Sequence, residues 1–243
     1  MAIKEISYKT KHFRISYNII DNNAARNIVF LHGWGSNKEL MAMAFGKYFS
    51  KYNHIYIDLP GFGASPNDVF LTTNDYANII NLFLQECKIT QECEIASEKK
   101  SPIIVGHSFG GKIALLLNCE IILLSSAGIL LPKPLKIRLK IAFAKILKKL
   151  PLNFSFLRAN DAKDLSPIMY EVFKQVVQED FATYYKNFTQ KATIFWGKED
   201  TATPLQAYNI ICELMPNAKS HVLNGDHYFF LHQGGLVDKL YHE

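Results

Sequence analysis

Ser101-Pro102-Ile103-Ile104-Val105-Gly106-His107-Ser108-Phe109-Gly110-Gly111-Lys112-Ile113-Ala114-Leu115-Leu116-Leu117 is the stretch whose reading decides the fold. Its first part is a short apolar, β-branched run, the pattern of a buried strand. Its last part reads as a helix start. Between them Gly106-His107-Ser108-Phe109-Gly110 spells G-x-S-x-G. A serine on a tight strand-to-helix turn lifts its hydroxyl clear of the backbone. The helix behind it points N–H groups at developing negative charge. The competing reading is a small-residue turn with an idle serine. The flanking strand and helix favour a catalytic one.

Outward from this turn, apolar strand-like runs alternate with helical ones. Glu5–Tyr8 and Phe13–Ile20 read as opening, antiparallel strands. Asn27–Leu31 and His54–Asp58 read as buried strands, with helices expected over Lys38–Ser50 and Asn74–Lys88. Ile121–Ser125, Ala192–Trp196 and Lys219–Leu223 read as further strands, followed by helices after Pro204 and around Leu236–Tyr241. Strands alternating with helices imply an α/β protein with a mostly parallel sheet covered on both faces. Ligands on such sheets bind beyond the carboxyl ends of the strands. Residues Pro132–Gln190 interrupt the alternation with helix-like segments.

The chain has 243 residues, 49% of them hydrophobic and 20% charged, which fits one globular domain. No Pro-, Gly- or Ser-rich linker divides it. A net charge of +5 is too mild to argue for nucleic acid. The opening Met1–Ile6 shows no cationic region followed by an apolar run, so no secretory signal is expected. Cys87, Cys93, Cys119 and Cys212 have no C-x-x-C spacing and read as free thiols of a reducing cytoplasm, with metal binding not expected. The apolar run from Ile113 to Leu131 imitates a membrane span but is broken by Asn118, Glu120, Ser125 and Ser126. A buried helix, a turn and a buried strand fit it better.

A serine nucleophile needs a base, and the base needs a partner that fixes its tautomer. His227, in Asn224-Gly225-Asp226-His227, follows the last strand and is the favoured base; His232 is the rival. His32, His54, His107 and His221 lie in or beside strands and read as structural. Asp200, in Trp196-Gly197-Lys198-Glu199-Asp200, is favoured as the acid over Glu199, Asp226 and Asp58. Asp58 reads instead as a tie for its own Pro-Gly-Phe-Gly loop. The backbone N–H groups of Trp34 and Phe109 are candidate oxyanion donors, and one such donor is worth about 10²–10³ in rate.

These motifs together resemble the α/β-hydrolases. The resemblance rests on Leu31-His32-Gly33-Trp34-Gly35-Ser36, Asp58-Leu59-Pro60-Gly61-Phe62-Gly63, Gly106–Gly111, Trp196–Asp200 and Gly225–His227, in that order. It covers nearly the whole chain. It implies the α/β-hydrolase fold as a single domain over residues 1–243, a Ser108–His227–Asp200 triad and no cofactor. It also implies that the interruption at about 132–190 is a helical cap over the active site. One departure is that the segment from Ser108 to Ile121 is shorter than the family's usual helix and loop.

Within the family, His-Gly-Trp-Gly followed by Gly-His-Ser-x-Gly-Gly is similar to the pimeloyl-acyl-carrier-protein methyl ester esterases. Meta-cleavage carbon–carbon hydrolases and bacterial carboxylesterases share much of it. A small-molecule ester is therefore the expected substrate. Carbon–carbon cleavage, a lysophospholipid- or monoglyceride-type lipase and a ligand receptor on this scaffold are the alternatives. Seven basic residues and no acidic one lie between Lys133 and Lys149, with an apolar stripe through Leu135, Leu139, Ala142, Phe143, Ile146 and Leu150. Such a helix suits an anionic surface. Lys145, Lys148 and Lys149 are the candidate contacts for an acidic acyl carrier protein. A membrane surface, or lysines that are merely solvated, are the other readings.

Overall fold

Alternation of side chains across the strands sorts the core into two layers. In β3 (Asn27–Leu31), Ile28 and Phe30 pack on one face of the sheet while Val29 and Leu31 pack on the other. All four are fully buried, which is why the run reads as continuously apolar. The structure, a computed structural model, describes residues 1–89, 101–131 and 166–243.

The remaining strands are β1 (Ala2–Tyr8), β2 (Lys11–Ile20), β4 (Asn53–Ile57), β5 (Ile103–His107), β6 (Glu120–Leu124), β7 (Ala192–Gly197) and β8 (Lys219–Leu223). They form one eight-stranded sheet in the order β1-β2-β4-β3-β5-β6-β7-β8. β1 and β2 pair antiparallel, and β2 joins β4 antiparallel; every later pairing is parallel.

Among the described residues the helices are α1 (Lys38–Phe45), α2 (Thr73–Glu86), α3 (Phe109–Ala114), α4 (Pro167–Val176), α5 (Ala182–Lys186), α6 (Leu205–Leu214) and α7 (Phe230–His242). α1 and α7 cover one face through Met41, Phe45, Phe230 and Val237. α2, α3 and α6 cover the other through Ile79, Phe83, Ile113 and Ile211. Local sequence sets several starts. Asn37 accepts a hydrogen bond from the Leu40 N–H, Thr72 and Asp75 form a reciprocal capping box, and Ser166 caps α4 ahead of Pro167.

The apolar run Ile113–Leu131 holds a buried helix end, a turn and the buried strand β6, as its polar interruptions imply, but the strand stops at Leu124 and the rest is loop, with Leu130 exposed. Helix α3 is only six residues long, which accounts for the short segment after Ser108. β1 and β2 start two to three residues earlier than expected, and two helix boundaries move further. The helix expected over Lys38–Ser50 stops at Phe45, where Gly46 caps it and Phe49 takes a positive φ of 52°. The last helix begins at Phe230, well before Leu236, and kinks at Gln233. The stretch expected to interrupt the alternation lies between β6 and β7, and its described part holds α4 and α5. Cys93 and the basic run Lys133–Lys149, with Lys145, Lys148 and Lys149, lie outside the described residues. No helix among the described residues is long and apolar enough to cross a membrane.

Candidate active site

Parallel strands deliver the candidate groups to one edge of the sheet. The loops after β3, β5, β7 and β8 carry Trp34, Ser108, Asp200 and His227 respectively, all at carboxyl ends.

Ser108 turns the chain from β5 into α3 with φ 50° and ψ −111°, outside the regions an L-residue ordinarily prefers. The turn is held by its neighbours. The Ser108 N–H donates to the Leu124 carbonyl at 3.1 Å, and its own carbonyl accepts from Ala127 N–H at 3.1 Å and Gly111 N–H at 3.0 Å. The glycine after the serine is dictated by close packing. A Cβ on Gly110 would lie 2.4 Å from the Leu31 carbonyl oxygen.

Asp200 and His227 meet across the ends of β7 and β8. His227 Nδ1 lies 2.7 Å from Asp200 Oδ2. A carboxylate only accepts, so Nδ1 carries the proton and Nε2 keeps the lone pair a base needs. The Asp200 carboxylate is fully enclosed, and four donors satisfy it. Oδ1 accepts from the N–H groups of Ala202 at 2.8 Å and Thr203 at 2.9 Å; Oδ2 accepts from the Thr203 hydroxyl at 2.8 Å as well as from His227. Burial pushes this carboxyl up, but His227, the Thr203 N–H and Ser125 outweigh it and hold it below its ordinary value. No hydrogen bond joins the Ser108 hydroxyl to His227 among the described residues, whose ring is bonded through Nδ1. Such bonds often tighten only around a substrate.

The loop after β3 closes over the serine. A Cβ on Gly33 would fall 3.2 Å from Ser108 Cβ. The backbone N–H groups of Trp34 and Phe109 donate to no other part of the chain among the described residues. The Trp34 ring packs edge-on to Phe62 at 4.8 Å and Phe109 at 5.6 Å, and tilts against Phe173 of α4 at 5.3 Å. An aromatic wall therefore stands beside the candidate oxyanion site.

The rival residues sit elsewhere. His232 is exposed on α7. Asp226 accepts from the Tyr228 N–H at 2.8 Å, and Glu199 from the Gly225 N–H at 2.5 Å, so each braces the base loop. Asp58 accepts from Ala64 N–H at 2.9 Å within its own loop. It also binds the buried Lys38 through Nζ at 2.7 Å and the Lys38 N–H at 2.8 Å. His32 donates from Nδ1 to the Gly33 carbonyl at 2.7 Å and accepts from Leu59 N–H at 3.0 Å. Burial drives it down to about 4, so it is neutral. His54 is locked between Tyr56 and Phe49.

Of two further residues near the site, Thr203 went unread in the sequence and His107 was read only as structural. Thr203 follows Asp200 by three positions, a spacing typical of turns closed by an Asp side chain. His107 lies beneath His227, with ring centroids 4.6 Å apart.

Comparison with known proteins places the chain in a family. A family model described as the alpha/beta hydrolase family matches residues 28–239. A pimeloyl-[acyl-carrier protein] methyl ester esterase of Pectobacterium atrosepticum is 25% identical over 199 residues, covering 82% of this chain and 64% of that protein. The chain thus spans less than two thirds of the length of the curated relatives it first matches. An esterase from Exiguobacterium antarcticum superposes with a TM-score of 0.73 at 19% identity, over 98% of this chain and 97% of that one. A meta-cleavage product hydrolase from Pseudomonas fluorescens IP01 superposes at 0.66 with 18% identity, over 98% and 95%. Both likenesses are of fold. With the family model covering most of the sheet and every loop of the candidate site, the chain belongs to the alpha/beta hydrolase family.

Proposed function

We propose that the chain hydrolyses a carboxylic ester through an acyl-enzyme on Ser108. The observation that carries this reading is the hydrogen-bonded Asp200–His227 pair, which lies with Ser108 at one edge of the sheet. Ser108 Oγ attacks the ester carbonyl while His227 Nε2 takes its proton. The oxyanion is met by the N–H groups of Trp34 and Phe109. His227 returns the proton to the departing alkoxide oxygen, and the alcohol leaves. Water, deprotonated by His227, then attacks the acyl-enzyme and frees the acid and Ser108. Asp200 holds the imidazole and stabilises its cation.

The chain is read as a single domain with a cap inserted over about 132–190, of which α4 and α5 are the described helices. The finer substrate reading is a methyl ester on an acyl carrier protein. Likeness to the Pectobacterium esterase and the basic run near Lys145 support it. The free thiols Cys87, Cys119 and Cys212 support a cytoplasmic setting.

The test is labelling of wild type and Ser108→Ala by a fluorophosphonate probe, beside a panel of chromogenic esters of graded chain length. Ser108-dependent labelling with turnover is expected. A folded wild type that neither labels nor turns over would leave a receptor role. Turnover of a vinylogous diketone in place of esters would move the reading to carbon–carbon cleavage, and selective turnover of lysophospholipids or monoglycerides would move it to a lipase. For the carrier, Lys145→Glu, Lys148→Glu and Lys149→Glu together should slow carrier-linked esters and spare small ones. Equal loss on both substrates sinks carrier docking.

A further inference from the structure

We propose that His107 is a positioning residue that fixes the height of the base loop over Ser108 by donating a hydrogen bond from its Nε2 to the backbone carbonyl of His227. The proposal rests on the ester-hydrolase reading and names a group beyond its triad.

His107 ends β5 and is the residue before the nucleophile, so its backbone is fixed by the sheet. Its side chain is fully buried. Nε2 lies 3.0 Å from the His227 carbonyl oxygen. That oxygen only accepts, so Nε2 must carry the proton. Nδ1 is buried with no partner, which suits a bare lone pair better than a stranded donor. The network therefore assigns a neutral ring with its proton on Nε2.

The ring touches the parts of the site that must stay in register. It packs against His227 at 4.6 Å, Tyr228 at 5.0 Å and Phe230 at 4.8 Å between centroids. On its other side a Cβ on Gly33 would fall 2.8 Å from Nδ1, so the oxyanion loop rests against it. His107 thus spans from the oxyanion loop to the base loop, one residue before the serine. Burial, followed by the neighbouring His227, pushes its protonation well below the ordinary range of histidine. The ring stays uncharged when His227 becomes a cation, so no second positive charge opposes that step.

The test compares His107→Leu, which keeps bulk without a donor, with His107→Gln, whose amide nitrogen reaches the Nε2 position. A misplacement of the base of about 1 Å costs up to about 100-fold in rate. His107→Leu is therefore expected to lose about 10- to 100-fold in kcat and in fluorophosphonate labelling rate, with KM within about twofold. His107→Gln is expected to recover most of that loss. Leu at wild-type rates, or Leu and Gln equally impaired, overturns the proposal. If His107→Leu fails to fold, imidazole nitrogen NMR of the wild type decides. An Nε2–H tautomer that does not titrate between pH 5 and 8 supports the assignment, and an Nδ1–H tautomer overturns it. If wild type neither labels nor turns over, the ester-hydrolase reading fails by itself. The low-field Nδ1–H proton of His227 then decides the positioning role. Its loss in His107→Leu and retention in His107→Gln supports the role, and its persistence in both overturns it.

Discussion

Asp200 and His227 are 2.7 Å apart and unequally buried: the carboxylate is sealed, and the imidazole keeps 14% of its surface open. The acid is held by four donors, while the base keeps part of its ring open.

Replacing Asp200 by Asn keeps the shape but removes the acceptor-only partner. The amide can donate to Nδ1, which favours the tautomer with Nε2 protonated and useless as a base. We expect kcat to fall by about 10³- to 10⁴-fold with KM little changed. Steady-state kinetics on a chromogenic ester measure this. Retention of more than a tenth of wild-type kcat would remove Asp200 from its assigned role.

Ser108 holds a positive φ with ψ −111°, a conformation that costs an L-residue about 1–3 kcal/mol and glycine far less. Both Ser108→Ala and Ser108→Gly should be inactive, but they should differ in stability. The glycine variant is expected to melt about 2–4 °C above the alanine variant, from about 1 kcal/mol of relieved strain. Calorimetry of the two inactive proteins gives the comparison. An alanine variant as stable as the glycine one would show that the elbow is unstrained.

Short-range signals were legible because each lives in a few adjacent residues. Ile103–Val105 announces a buried strand, and Gly106–Gly110 announces a turn that only small residues can pack, since Gly110 abuts the Leu31 carbonyl. Long-range partners were not legible. His107 looks like a core histidine until folding places the His227 carbonyl beside it, 120 residues later in the chain. Lys112 carries no local signal of its burial, because its partner Glu179 stands 67 residues away. The ends of α1 and the start of α7 escaped for a local reason. Apolar spacing continues past Phe45 and is interrupted by His232-Gln233-Gly234-Gly235 before Leu236, so periodicity alone misplaced both.

Lys112 and Glu179 yield an asymmetric prediction. Lys112 Nζ is buried, 2.6 Å from Glu179, donates to the Val176 carbonyl at 2.8 Å and sits 4.4 Å over the Phe181 ring. Thr73 Oγ1 donates to the same carboxylate. Glu179→Gln strands a buried cation, which costs about 3–5 kcal/mol, or about 10 °C in Tm for a chain of this size. Lys112→Met leaves a carboxylate that retains Thr73 and some solvent, and should cost much less. Thermal melts of the two variants test this, and equal losses would contradict it.

Stability should begin to fall in mild acid, ahead of carboxylate titration. Burial lowers the folded-state pKa of His32 to about 4 and holds that of His107 well below its ordinary value, while an unfolded histidine titrates near 6.5. Below about pH 6.5 the unfolded chain therefore binds more protons than the folded one, and stability declines as pH drops. His32 alone accounts for the order of 3 kcal/mol, fully present above pH 6.5 and lost as pH falls through about 4. Below about pH 4 the depressed carboxyls of Asp75, Glu120 and Asp200 act in the same direction. Their contribution is present above the unfolded carboxyl range and disappears on protonation. Denaturant melts from pH 8 to pH 5 should show a falling midpoint, with a shallower fall in His32→Asn, which cannot titrate. A wild-type midpoint that is flat over that interval would mean that the buried rings gain protons as readily as in the unfolded chain.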